Sequence, residues 1–277
     1  MLAANMGPTK LVVLPGRGRI QVRDIPGPAN AATIILLHGL AVTADLNWCK
    51  HYELLATRYR VVSYDHHGHG SGLRLRKKFS IADVADDVVR VADALKIDKF
   101  TPVGYSLGGA VAQTVALRHP ERVQGMVLAA TSNKFVNSRY NKRLFLVLKN
   151  LARLSTYSPK TLSRVLVEKF YGDKLPINLD PWVISQLLGH DWTTVAWAGV
   201  EAGRYDSSAF LPSLSTPSSV LVTARDTVIP LDDQERLFSM LKGDKKMFRV
   251  EGNHLSVYTA PNTFGPVLLD ACIHAAG

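Results

Sequence analysis

Cysteine is scarce in this chain: of 277 residues only Cys49 and Cys272 carry a thiol. Two thiols pair only where the fold brings them together, so a dense disulfide framework is excluded. Long apolar runs are missing as well. Stretches such as AATIILL and VLAA fall far short of the ~20 residues that a membrane-spanning helix requires. The opening MLAANMGPTK has no basic region followed by an apolar core, the order a secretory leader would show. The expectation from these absences is a soluble, cytoplasmic protein. Apolar residues at 47% and charged residues at 20% match ordinary globular usage, which argues against disorder beyond the ends. The length suits one large domain, or a core domain carrying a sizeable insertion.

What is present in excess is positive charge, and it is local. The formal net charge is +10, of which a net +8 falls between Lys134 and Lys174, where ten basic residues face only Glu168 and Asp173. A second cluster, Arg74, Arg76, Lys77 and Lys78, falls in a predicted loop. Such clustering marks one face of the molecule and not its whole surface.

Eight short apolar or β-branched runs recur along the chain. LVVL (11–14) and RIQVR (19–23) flank Gly16 and Gly18 and read as a hairpin. TIILL (33–37), VVSYD (61–65), FTPVG (100–104), GMVLAA (125–130), SVLVT (219–223) and MFRV (247–250) follow. Ile81, Val84, Val88, Val91 and Leu95 keep helical spacing, opened by Ser80 with Asp83 three residues on, a capping-box-like start. Another helix is expected from Ala110 to Arg118. Parallel strands need crossover connections, so this alternation predicts an α/β fold with a mostly parallel eight-stranded sheet flanked by helices. The pattern breaks after Thr131. Residues 1–132 and 216–277 read as the two parts of a core, and 133–215 as a helical lid inserted between them.

The chemistry concentrates at Gly104-Tyr105-Ser106-Leu107-Gly108, followed by Gly109. A strand precedes this GxSxG and a helix follows, the context in which a serine is exposed on a sharp turn beside unpaired helix N–H groups. A serine hydroxyl needs a base to take its proton. His254, just past the last predicted strand, is the candidate, with His274 in a C-terminal helical pattern and His190 in the insertion as rivals. The orienting acid should follow a late strand. Asp226 in SVLVTARDTVIP fits, whereas Asp232 and Asp233 read more naturally as first-turn helix residues. The chain order Ser–Asp–His separates this array from other triad families.

With LLHGL (36–40), YDHHGHGSG (64–72), VGYSLGG (103–109), ARD (224–226) and GNH (252–254), the chain resembles the α/β-hydrolase superfamily, in its capped, cofactor-free, esterase-like branch. The similarity spans about residues 10–131 and 215 to the end. The resemblance implies catalytic Ser106, Asp226 and His254, an oxyanion hole from the backbone N–H groups of Leu40 and Leu107, and no cofactor. One departure stands out: His67 replaces an arginine common in the family before the first glycine of its loop. The resulting DHHGHG invites a metal-site reading, but a complete triad needs no metal and none is expected. Ser106 also argues against epoxide hydrolases and haloalkane dehalogenases, which resemble this fold but carry aspartate at that position.

The expected reaction is hydrolysis of a carboxylic ester or thioester through an acyl-enzyme. Cofactor-free perhydrolysis, carbon–carbon bond hydrolysis and slow-turnover ligand reception are the alternatives compatible with the same residues. Peracid formation, activity on vinylogous diketones, or tight binding without turnover would mark each in turn. Residues 139–154 read as a basic amphipathic helix, with Tyr140, Leu144, Val147, Leu148 and Leu151 on one face. The simple account is a lid packed over the pocket. The sharper one has its basic face meeting anionic membrane, a peripheral contact. The apolar lid implies a small hydrophobic acyl or ring-containing substrate, and Trp182, Trp192 and Trp197 are expected to form its core or line the pocket. No nucleic-acid recognition motif is present.

Overall fold

The computed structural model describes residues 6–136 and 181–277, so the basic helix expected at 139–154 lies outside the described residues. All eight expected runs are strands of one sheet: β1 (Thr9–Leu14), β2 (Gly18–Ile25), β3 (Thr33–Leu37), β4 (Arg60–Tyr64), β5 (Thr101–Tyr105), β6 (Met126–Ala129), β7 (Ser218–Thr223) and β8 (Lys245–Val250). Their order across the sheet is β1-β2-β4-β3-β5-β6-β7-β8. The β1–β2 hairpin and the β2–β4 pair are antiparallel, and every other pair is parallel. β6 and β7 pair directly although residues 130–217 intervene between them.

Helices are numbered among the described residues: α1 (Ala44–Trp48), α2 (Tyr52–Ala56), α3 (Ile81–Ala94), α4 (Leu107–Arg118), α5 (Pro181–Leu188), α6 (Trp192–Arg204), α7 (Leu231–Met240), α8 (Ser256–Thr259) and α9 (Pro261–Ala276). α3 starts where expected, with Ser80 Oγ accepting from the Asp83 N–H at 3.4 Å. β3 shows how the sheet is covered. Ile35 and Leu37 join the apolar cluster beneath α3 and α4, while Ile34 and Leu36 join the one shared with α1, α2 and α9. All four are fully buried, which is why the strand reads as a continuous apolar run and not as an alternation.

The topology itself selects a place for chemistry. From β3 the chain moves to β4 on one side, then returns to place β5 on the other. At such a switch point the two outgoing loops diverge and leave a crevice at the carboxyl ends of the strands. The loop after β3 holds His38-Gly39-Leu40, and the turn after β5 holds Ser106. Among the described residues no helix is long and apolar enough to cross a membrane. Cys49 and Cys272 are both free thiols. Trp192 is buried, whereas Trp182 and Trp197 are partly buried against apolar clusters.

Candidate active site

Ser106 joins β5 to α4 with φ 52° and ψ −115°, a left-handed backbone that residues with side chains rarely adopt. The flanking glycines make this turn sterically feasible. A Cβ at Gly104 would run into the Gly108 backbone, one at Gly108 into the Leu37 carbonyl, and one at Gly109 into the Thr131 side chain. Hydrogen bonds then hold the turn in place. The Ser106 N–H donates to the Ala129 carbonyl at 2.9 Å, and the Ser106 carbonyl accepts from Thr131 Oγ1 at 2.7 Å and from the Gly109 N–H at 2.9 Å.

The three residues singled out from sequence converge. His254 Nε2 lies 3.1 Å from Ser106 Oγ, and His254 Nδ1 lies 2.7 Å from Asp226 Oδ2. A carboxylate only accepts, so Nδ1 carries the imidazole proton and Nε2 offers its lone pair to the serine hydroxyl. Asp226 is in turn held by three further donors: Thr223 Oγ1 at 2.8 Å on Oδ2, and the N–H groups of Val228 and Ile229 at 2.8 and 2.9 Å on Oδ1. The two loops are zipped to each other, the Ala224 N–H donating to Val250 O at 2.9 Å and the Arg225 N–H to Gly252 O at 2.8 Å. Tyr105, next to the serine, donates its hydroxyl to the His254 carbonyl at 2.7 Å.

The rivals lie elsewhere. His274 sits in α9, with Nδ1 3.0 Å from Ser219 Oγ. Asp232 and Asp233 occupy the first turn of α7, and Asp233 pairs with Arg236 one turn on. His190 is buried, with its ring 5.4 Å from that of His69 in the loop after β4.

Leu40 and Leu107 are placed by their neighbours. Leu107 is the first residue of α4, where a helix N–H has no carbonyl one turn behind it. Gly39 stands so near the nucleophile that a Cβ built on it would lie 3.5 Å from Ser106 Cβ. The Gly39 N–H is already used, donating to Asn47 Oδ1 at 3.0 Å. His38 Nε2 accepts from the His66 N–H at 2.9 Å, which leaves the proton on Nδ1 to bond the Gly39 carbonyl at 2.7 Å. In a trans peptide the next N–H, that of Leu40, points the opposite way. Burial lowers His38 to about 4, so the ring that makes these two bonds is neutral near pH 7.

The histidines of the DHHGHG loop pack against neighbouring rings. His67, at the family's arginine position, stacks on Phe79 with 6.2 Å between ring centroids. His66 and His69 are fully buried around His38, with centroids 4.1 and 5.0 Å from it. Among the described residues no group of three histidine, cysteine or acidic side chains is arranged to hold a metal ion.

A family model described as the alpha/beta hydrolase fold matches residues 32–261. The chain belongs to the α/β-hydrolase family. Among its curated relatives are two proteins each named "Putative carbamate hydrolase RutD". One, from Caulobacter sp. (strain K31), is 27% identical over 88% of this chain and 92% of its own. The other, from Variovorax paradoxus (strain S110), is 28% identical over 89% and 94%. Solved structures of the same fold include the enol-lactonase from Burkholderia xenovorans LB400 (TM-score 0.79, 19% identity, 95% of this chain and 100% of that one). A thermophilic esterase from Thermogutta terrifontis also matches (TM-score 0.77, 20% identity, 98% and 100%).

Sequence reasoning passed over several residues that shape this α/β-hydrolase site. Thr131, Thr223, Tyr105 and Asn47 act by side-chain bonds to backbone or to Asp226, and nothing in periodicity or spacing announces them. Asp65, inside the quoted YDHHGHGSG, was open to notice. It accepts from the Ala44 N–H and the Ser71 N–H, each at 2.7 Å, and so ties the loop after β4 to the start of α1. Burial pushes its carboxyl above the usual range, against the lowering effect of those bonds.

Proposed function

We propose that this α/β-hydrolase cleaves a carboxylic ester, or a thioester, of a small hydrophobic substrate through a covalent acyl-enzyme. The observation that carries the reading is the unbroken line from Asp226 Oδ2 through the His254 ring to Ser106 Oγ, at 2.7 and 3.1 Å. Ser106 Oγ attacks the carbonyl carbon while His254 Nε2 takes the hydroxyl proton. The oxygen that becomes negative is met by the N–H groups of Leu107 and Leu40. Each such donor contributes on the order of 3 kcal/mol to transition-state stabilisation. His254 returns the proton to the departing alkoxide or thiolate, and the carbon–oxygen or carbon–sulfur bond breaks. Water then attacks the acyl-serine, its proton passing through His254 back to Ser106 Oγ as the acid leaves.

Support for a hydrophobic substrate comes from Val228 and Leu255, exposed apolar residues that neighbour Asp226 and His254 in the chain. The same attack applies to a carbamate carbonyl, and the name carried by the two curated relatives favours that second reading.

The test is hydrolysis of p-nitrophenyl esters from acetate to palmitate, beside a p-nitrophenyl carbamate, by wild type and Ser106→Ala. Ester turnover that varies with chain length, lowered at least ~10³-fold in the folded variant, is expected. Preference for the carbamate would move the assignment to the second reading. Folded wild type inert towards every substrate, with Ser106 unlabelled by a fluorophosphonate, would overturn both.

A further inference from the structure

The stretch from Gln186 to Thr194, which links α5 to α6, lies across the loops that follow β3 and β4. Gln186 Oε1 accepts from Thr43 Oγ1 at 2.8 Å, the Gly189 carbonyl from Arg74 Nη2 at 2.7 Å, and the Gly68 carbonyl from the Asp191 N–H at 2.8 Å. A Cβ at Gly68 would run into Thr194, so the two segments touch without space to spare. In the middle stands His190. Its Nδ1 accepts from the Gly70 N–H at 2.8 Å, and its Nε2 lies 3.1 Å from the Ala41 carbonyl. A nitrogen that accepts from an amide carries no proton, so the proton is on Nε2 and is donated to Ala41. Only the neutral ring makes both bonds, and burial keeps it neutral by lowering it to about 4.

Ala41 is the residue directly after Leu40, and its φ is 60°. A left-handed alanine persists only where its surroundings hold it. The Gly39–Leu40 peptide, which carries the Leu40 N–H, is gripped from the other side, by His38 on the Gly39 carbonyl. The turn that carries the Leu40 N–H is therefore pinned at both ends by neutral histidines, and His69 packs between them with ring centroids 5.0 Å from His38 and 5.4 Å from His190.

We propose that His190 is a positioning residue for the oxyanion hole: by bonding the Ala41 carbonyl and the Gly70 N–H at once, it holds the Leu40–Ala41 turn in the shape that presents the Leu40 N–H to the reacting carbonyl. Residues 186–194 thus complete a site otherwise built from the sheet's loops. This inference rests on the reading of Leu40 and Leu107 as the oxyanion donors. A loosened turn weakens a bond made chiefly in the transition state, so the effect falls on kcat and leaves KM nearly unchanged.

The experiment compares His190→Phe, which keeps a ring beside Trp192 but neither donates nor accepts, with His190→Gln, whose amide does both. Both are assayed on the p-nitrophenyl ester that wild type turns over fastest, together with the rate of Ser106 phosphonylation by a fluorophosphonate. His190→Phe is expected to lose 10- to 100-fold in kcat with KM within about 3-fold, below the ~10²–10³ ceiling for complete loss of a donor. Phosphonylation should slow in parallel, and His190→Gln should recover most of both. Should His190→Phe fail to fold, His190→Leu is read against His190→Gln in the same way. Unchanged kcat, a change confined to KM, or a glutamine variant no better than the apolar one would overturn the proposal while leaving the serine-hydrolase reading intact. Wild type that neither hydrolyses esters nor reacts with the fluorophosphonate would overturn that reading and this inference with it.

Discussion

Asp226 shows how much of the proposed chemistry depends on which atom accepts. Its two oxygens are used differently: Oδ1 takes the N–H groups of Val228 and Ile229, and Oδ2 takes Thr223 Oγ1 and His254 Nδ1. Asp226→Asn leaves one acceptor oxygen. The two backbone donors claim it, because they cannot turn away, and the new NH₂ group then faces His254. The imidazole answers by moving its proton to Nε2, and an Nε2–H cannot take the proton of Ser106. The expected outcome is a loss of about 10⁴-fold in kcat with the fold retained. Steady-state kinetics and circular dichroism check it; a loss under tenfold would show that Asp226 does not set the tautomer. His190 meets the same demand for one tautomer, at a distance from the reacting atoms.

Among the elements, α4 is the one most tightly constrained by its start. Gly108 sits where a Cβ would strike the Leu37 carbonyl of β3, while the helix interior would ordinarily gain ~1 kcal/mol from replacing glycine by alanine. The two effects oppose each other and the clash is with backbone, which cannot rotate aside. Gly108→Ala is therefore expected to destabilise by about 1–3 kcal/mol net, read by urea denaturation, and to lower kcat as the Leu107 N–H shifts. A variant as stable as wild type would mean that α4 tolerates a different seat on β3. The strands and this helix were legible because buried β-branched runs and a glycine-framed serine are local signals. α1 and α2, five residues each, are too short for periodicity to register. The Ser–Asp–His order and its loop positions were legible too, through motifs that follow predicted strands. The bonds from residues 186–194 to Ala41, Thr43, Gly68 and Gly70 join positions more than 100 residues apart, and no local pattern encodes such a contact.

Over the whole molecule, the buried histidines set how stability responds to acid. His38, His51, His66, His67, His69 and His190 are all shifted downward, burial being the largest cause in each, and His38 and His190 reach about 4. In the unfolded chain these rings titrate near 6.5. Between 6.5 and 4 the unfolded state therefore binds protons that the folded state refuses, and stability is full above 6.5 and falls as pH drops through this window. His38 and His190 each contribute a slope of about 1.4 kcal/mol per pH unit there. His38 and His190 alone then remove on the order of 4 kcal/mol by pH 5, a large share of the 5–15 kcal/mol typical of a folded protein. Asp24, lowered by Arg60 and Lys10 against the large opposing effect of burial, and Asp206, lowered chiefly by its bond to Lys134, add to the loss only at lower pH. Urea denaturation at pH 8, 7, 6 and 5 is thus expected to give nearly equal stabilities at 8 and 7, a decline at 6 and a steep one by 5. His69→Phe, which removes a ring that titrates only when unfolded, should flatten that decline. A stability constant from pH 7 to 5 would mean that these rings take up protons in the folded state as readily as in the unfolded one, and would overturn the downward shifts argued from their burial.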